Sequence, residues 1–432
     1  MAAVSSGGRF AYEAVSIMRA RRMPQSLISD PAWAALLRRL VLLWLCGAAA
    51  RIAILAVPPI LPLIHDDLHL SETQVGLLIG LPLGLFAVAA VPGSLLVARI
   101  GVRRTMVIGL ALTAVASAAR GASLDALMLY AATALMGFGI AVMQPALPAL
   151  VRAWVPSRVG LATAVYTNGM VIGATVGPAF TIPYILPWVG GSWRLDIAAW
   201  SALIGAIGLA FVALGPPVGS SDAVSASDAE GSRESRRWWP AWNDPLIWLL
   251  GLAFGSTNSL YFGANAFLPD YLVAQGQGDL VGAALAWLNG SQLIASFTLL
   301  VVADRLHGRA WPYVLFGTLS LVGLLGPVVA SRDWVVPAAA LLGCSAAVPF
   351  VLILALPPAL SAPGDVHRTA AGMFTISYAG AVIVPVACGA MWDLTGLAWT
   401  AFLPLAACAV GMATLGAWLT RYHAAPAAAP AE

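Results

Sequence analysis

The sequence predicts an all-α membrane protein of twelve transmembrane helices arranged as two six-helix halves. Three observations lead there. Of 432 residues, 60% are hydrophobic and only 9% are charged, where a soluble domain carries about a quarter. Apolar runs of roughly 20 residues, the length that crosses hydrocarbon as a helix, recur along the whole chain between short polar breaks. One polar segment near the middle, PPVGSSDAVSASDAEGSRESRR, lacks apolar periodicity and has the Pro, Gly, Ser and charge-rich composition of a flexible linker. The same composition excludes soluble domains, nucleic-acid binding and cytosolic catalysis.

The apolar runs place spans at residues 39–64, 74–97, 104–120, 125–150, 158–185, 196–215, 246–270, 281–303, 311–330, 334–359, 369–391 and 396–420. They imply a cytoplasmic N-terminal tail (1–38), an N-terminal six-helix bundle (39–215), a cytoplasmic linker (216–245), a C-terminal six-helix bundle (246–420) and a C-terminal tail (421–432). Arginine fixes the orientation, because loops rich in basic residues stay in the cytoplasm. The chain has no lysine, and with the N-terminus inside, eighteen of its 22 arginines fall in cytoplasmic segments. Only Arg120, Arg194 and Arg332 fall outside, and Arg51 alone falls in the interior of a span rather than at its end. Both termini are therefore expected in the cytoplasm. The N-terminal arginines are not followed by the short apolar core of a signal peptide, so no cleaved leader is expected. Trp238 to Trp242 (WWPAW) suit an interfacial anchor. Cys46, Cys344, Cys388 and Cys408 lie in apolar runs, where a thiol behaves as a small hydrophobe, so neither a disulfide nor a metal site is expected from them.

The halves echo each other. Gly160 precedes Tyr166 by six residues in the fifth span, as Gly372 precedes Tyr378 in the eleventh. ARIGVRR (98–104) follows the second span and DRLHGR (304–309) the eighth. Two parallel six-helix repeats are a common architecture of secondary transporters.

With these motifs in view the chain resembles the major facilitator superfamily. The superfamily's signature after the second span is a Gly, an Asp-Arg pair, another Gly and basic residues. Gly93, Arg99, Gly101, Arg103 and Arg104 are similar to it, with Ala98 where the Asp is expected and the first Gly one residue early; the second-half copy keeps Asp304 and Arg305. The resemblance implies that these six residues, Arg99, Gly101, Arg103, Arg104, Asp304 and Arg305, take part in gating. ARIAILAVPPILPLI, GIAVMQPALPALV, STNSLYFGANAFLPDYL and AAGMFTISYAGAVIVP resemble the cyanate and 2-nitroimidazole transporter branch. That implies a multi-pass protein of the bacterial inner membrane whose partners are a small-molecule substrate and the lipid bilayer. Coupling to protons or to a counter-anion stays open, a monomer is expected, and no cofactor or nucleic acid is implied.

Arg51 is the residue that composition does not explain. A guanidinium near the bilayer centre costs at least about 2.5 to 3.5 kcal/mol, and no carboxylate or histidine lies at its depth. Asp125, Asp196, Asp270, Asp304 and Asp393 all fall at helix ends. Either backbone carbonyls and water satisfy Arg51, or its counter-ion arrives as substrate. A guanidinium fork binds oxyanions and carboxylates well, which points to a small anionic or weakly acidic solute.

In the resembled family the first, fourth, seventh and tenth spans line the cavity. On that analogy Gln144, Asn258, Tyr261 and Asn265 face Arg51, and Tyr166, Asn168, Asn289, Gln292 and Tyr378 lie at comparable depth. Each of these polar groups also suits plain interhelical hydrogen bonding. Trp44 and Trp287 are candidates for an apolar wall. Pro58, Pro59 and Pro62 remove backbone donors and invite kinks, as do Pro145 and Pro148. Gly169, Gly173 and Gly177 form two Gly-x-x-x-Gly steps that permit close packing. HDDLH (65–69) reads as a water-facing loop rather than a metal site.

The expected function is secondary transport of a cyanate-like or carboxylate-like solute by alternating access around Arg51. The alternatives are export of a neutral heteroaromatic such as a nitroimidazole, with Arg51 donating to a nitro group, and a membrane sensor that binds without transporting. The short tail HAAPAAAPAE offers no output domain for a sensor, and no catalytic constellation points to an enzyme.

Overall fold

The computed structural model describes residues 31–217, 240–306, 308–361 and 366–424. The first 30 residues, the core of the predicted linker, His307, residues 362–365 and the end of the C-terminal tail lie outside them. The helices are α1 (Pro31–Leu55), α2 (Leu61–Leu68), α3 (Glu72–Ile100), α4 (Val102–Gly121), α5 (Ala126–Trp154), α6 (Val159–Phe180) and α7 (Trp193–Leu214). The second half supplies α8 (Pro245–Ala274), α9 (Val281–Leu306), α10 (Trp311–Val329), α11 (Val335–Leu354), α12 (Val366–Thr395) and α13 (Phe402–Ala424). Among the described residues, eleven segments are long and apolar enough to cross a membrane, with α1 and α2 counted as one. The 29-residue helix α3 completes a set of twelve. Where α1 begins and α13 ends is called the proximal end below; the opposite end is distal.

Helix starts follow local chemistry. Ser71 caps α3 in a reciprocal box with Gln74, Asp125 accepts from the Met128 amide at 2.8 Å, and Asp244 accepts from Leu246 at 2.9 Å, satisfying donors that a helix N-terminus leaves open. α1 starts at Pro31, earlier than residue 39 expected from hydropathy. Proline preorganises the first helical position, and Leu36 and Leu40 pack on the core. The first span is broken as its prolines imply: α1 stops at Leu55, a 3-10 turn covers Pro58–Ile60, and α2 resumes at Leu61.

The pairing of helices repeats between halves. α1 packs on α6 as α8 packs on α12; α3 packs on α5 as α9 on α11; α4 touches α5 and α7 as α10 touches α11 and α13. The glycine steps explain how closely α1 and α6 approach. A Cβ at Gly169 would sit 2.1 Å from the Trp44 carbonyl oxygen, and one at Gly173 would sit 2.4 Å from that of Ala48. Only a residue without a side chain fits there.

The halves meet through α3 on α12 and α6 on α9. Gly76 backs onto the Pro385 carbonyl and Gly389 onto that of Glu72. At the distal end the Asp393 carboxylate accepts from the Glu72 amide at 3.0 Å, the Thr73 amide at 2.8 Å and the Thr73 hydroxyl. It caps the N-terminus of a helix in the other half, where negative charge is favoured. Proximal to these contacts, near mid-depth, lies a cavity.

Candidate functional site

Arg51 sits at the centre of the first span, with eighteen residues before it to Trp33 and seventeen after it to Leu68. It lines a cavity of about 90 Å³ together with Phe86, Phe254, Asn258, Phe262, Phe350, Leu354, Phe374 and Tyr378. Five helix bodies, α1, α3, α8, α11 and α12, from both halves, contribute to this wall. Its aromatic rings brace one another: Phe86 meets Tyr378 edge-on at 5.5 Å, Phe254 lies 4.9 Å from Phe350, and Phe374 stacks on Tyr378 at 6.0 Å. Such pairs fix the ring positions beyond their simple burial.

Among the described residues, the half-buried Arg51 makes no ion pair and no hydrogen bond. Its five N–H donors therefore face a cavity whose other polar groups are few. Asn258 and Tyr378 share the wall with it. The Asn258 amide donates to the Ser377 hydroxyl at 2.7 Å, which pins it between α8 and α12. The hydroxyls of Tyr261 and Tyr378 lie within electrostatic reach of Arg51.

The other predicted polar residues divide. Tyr261 donates to Asn289, Asn289 donates to Asn265 at 2.9 Å, and Asn265 donates to the Tyr261 carbonyl at 2.9 Å; Gln292 also reaches the Tyr261 hydroxyl. These four tie α8 to α9, and none lines the cavity. Asn168 accepts from the Trp44 indole at 2.9 Å, joining α6 to α1, so Trp44 is not part of the cavity wall. Tyr166 turns its backbone carbonyl to Gly47, and Gln144 is half-buried in α5 away from the wall. Trp287 is 53% exposed on the outside of the bundle. A sequence gives depth along a helix but not the angle around it.

Of the gating candidates, Gly101 occupies φ +84° between α3 and α4, a conformation that favours glycine. Arg103 donates to the Val212 carbonyl at 2.9 Å, closing the C-terminus of α7 within its own half. Arg99, Arg104 and Arg305 are exposed, and the Asp304 side chain lies outside the described residues.

Two features escaped the sequence. Arg120, expected on the surface outside the bundle, is 3% exposed and donates to the Ala53 carbonyl at 3.0 Å. The break after α1 explains it, since carbonyls in its last turn lose their helical partners and a cation beside a helix C-terminus is favoured. Arg51 is thus not the only arginine inside. HDDLH is also not a loop: His65 lies in α2 and His69 follows as its left-handed cap at φ 49°. His65 faces Glu72 at 3.8 Å and Asp270 at 3.9 Å, with both carboxylates buried. Glu72 falls in a polar break between predicted spans, and hydropathy gives no sign that it turns inward.

Among the described residues, apolar helices in two matching halves, with an arginine-lined cavity between them, have the architecture of a membrane transporter. Residues 43–302 match the family model of the Major Facilitator Superfamily. The chain belongs to that superfamily, and it is a multi-pass membrane transporter rather than an enzyme. It is 26% identical to the cyanate transport protein CynX of Escherichia coli over 86% of this chain and 94% of that protein. It is also 26% identical to the uncharacterized transporter YycB of Bacillus subtilis, over 64% of this chain and 66% of that one. The match to the 2-nitroimidazole transporter of E. coli, again 26% identical, spans 54% of this chain and 57% of the relative. Among solved structures, a nucleoside transporter superposes with a TM-score of 0.70 at 11% identity, covering 88% of this chain and 98% of that one. A D-xylose-proton symporter superposes at 0.67 with 12% identity, covering 90% and 96%. These show the fold.

Proposed function

We propose that the protein carries a small anionic or weakly acidic solute, cyanate-like or carboxylate-like, across the bacterial inner membrane by alternating access around Arg51. One observation carries this reading: a guanidinium at mid-span lines an internal cavity and has no hydrogen-bonded or ionic partner among the described residues. A charge so placed costs several kcal/mol unless paired, and an arriving anion supplies the pair. Asn258 and Tyr378 add directional polar contacts, and the phenylalanines exclude water. The cyanate transport protein's similarity along nearly its whole length supports the substrate class.

In this reading residues 39–215 and 246–420 are the two moving bundles, 216–245 the cytoplasmic linker, and 1–38 and 421–432 cytoplasmic tails. The proximal end then faces the cytoplasm, so the conformer is closed outside, and the chain works as a monomer. Uptake of a monovalent anion opposes about 2.3 kcal/mol per 100 mV; a proton or an exchanged anion supplies the drive.

A second reading, export of a neutral nitroheteroaromatic, is favoured by the six aromatic rings in the wall and by the 2-nitroimidazole relative. Uptake of labelled cyanate, small carboxylates and a nitroimidazole into proteoliposomes under an imposed potential separates the two. Potential-dependent transport of an anion supports the first. Transport of the nitroimidazole alone, indifferent to potential, contradicts it.

A further inference from the structure

We propose that His65, Glu72 and Asp270 form a site for a zinc-class divalent cation that latches the two halves together at the distal end. The donors come from three elements: His65 from α2, Glu72 from the first turn of α3, and Asp270 from α8 in the other half. Their ligand atoms all lie within 4.8 Å of one another, with the imidazole Nδ1 3.8 Å from Glu72 Oε1 and 3.9 Å from Asp270 Oδ2.

Burial makes the cluster more than a set of surface acids. Glu72 is 7% and Asp270 5% exposed, and Glu72 Oε2 and Asp270 Oδ2 have no hydrogen-bond donor. Asp66 and Asp393 add further negative potential. Two buried carboxylates facing one imidazole, with no arginine in the cluster, are an unfavourable arrangement unless protons or a cation neutralise them.

The donor set of one nitrogen and two carboxylate oxygens suits zinc, whereas calcium and magnesium prefer sites built wholly from oxygen. Zinc bonds of about 2.0–2.2 Å place tetrahedral ligands roughly 3.3–3.6 Å apart. The two imidazole–carboxylate separations need close by only a few tenths of an ångström, and the carboxylate–carboxylate separation, within 4.8 Å, by no more than about 1.5 Å. Glu72 is held from behind, its amide bound to Asp393 at 3.0 Å and its helix start fixed by the Ser71 box, and the 26% exposed His65 side chain leaves a path for entry. Because the ligands belong to both halves, the ion stabilises the conformer with the distal end closed and slows its opening, whatever solute is carried.

The test uses the purified full chain and Zn²⁺ itself, measured by competition with a fluorescent zinc indicator and by the spin-label distance between Leu124 and Ser331, two exposed distal positions in opposite halves. One equivalent of zinc is expected, weakened at least about ten-fold in His65→Gln, Glu72→Gln and Asp270→Asn and unchanged in His69→Gln. Zinc should narrow and shorten the distance distribution in wild type only. Glu72→Gln and Asp270→Asn are near-isosteric, so at least one folded variant is expected to carry the comparison. Equal binding in all three variants, no saturable equivalent, or loss of binding without any change in distance overturns the proposal. So does a distance that responds to pH alone, which reassigns the cluster to protons.

Discussion

Replacing Asp393 with alanine tests how the halves are held at the distal end. Its carboxylate accepts the Glu72 amide at 3.0 Å, the Thr73 amide at 2.8 Å and the Thr73 hydroxyl. In isolation, hydrogen bonds to a charged acceptor contribute about 1.5–3 kcal/mol each. Asp393 is exposed, and capping residues replaced by alanine lose about 0.5–2 kcal/mol in all. We expect about 1–2 kcal/mol less support for the closed distal end, a five- to thirty-fold shift toward opening. All three contacts cross between the halves, so the effect should fall on the conformational equilibrium. Double electron–electron resonance between labels at Leu124 and Ser331, in a cysteine-free background without added metal, reads that population directly. Asp393→Ala should raise the long-distance fraction, and Asp393→Asn, which keeps one acceptor, should raise it less. Identical distributions in wild type and Asp393→Ala refute the assignment of Asp393 as a distal clamp.

Two further outcomes follow from packing. Arg120→Met keeps the volume but strips the Ala53 carbonyl of its donor at 3.0 Å; an orphaned buried acceptor costs about 1–3 kcal/mol, to be seen as a lower unfolding temperature in detergent. Gly173→Val places a branched side chain where a Cβ already falls 2.4 Å from the Ala48 carbonyl oxygen. It should separate α6 from α1 and cost more than about 2 kcal/mol, whereas valine at Gly160, which has nothing within 4 Å, should be tolerated in the same thermal assay.

The fold was legible because bilayer physics writes it in simple terms: span length, arginine placement and small-residue steps. Gly169 and Gly173 pack where their spacing indicates, and Pro58 and Pro59 break the first span. Arg51 was legible too, as a charge with nothing of its own depth to pair with. Legibility stopped at rotation about the helix axis. Asn258 and Tyr378 reach the cavity while Gln144 and Asn265 do not, and Trp287 turns outward. Nor does hydropathy show what happens at span ends, where Arg120 folds inward onto a broken helix and Glu72 meets His65 and Asp270 across the two halves.

The central claim is that Arg51 awaits its counter-ion, and direct binding tests it most closely. Purified wild type and Arg51→Gln, matched for unfolding temperature, would be titrated with cyanate and short carboxylates by calorimetry. Removing one partner of a buried charge pair costs about 2–5 kcal/mol. The account predicts anion binding to wild type weakened at least about thirty-fold in the variant. Anion binding of equal strength in both would contradict it and leave Arg51 a structural group.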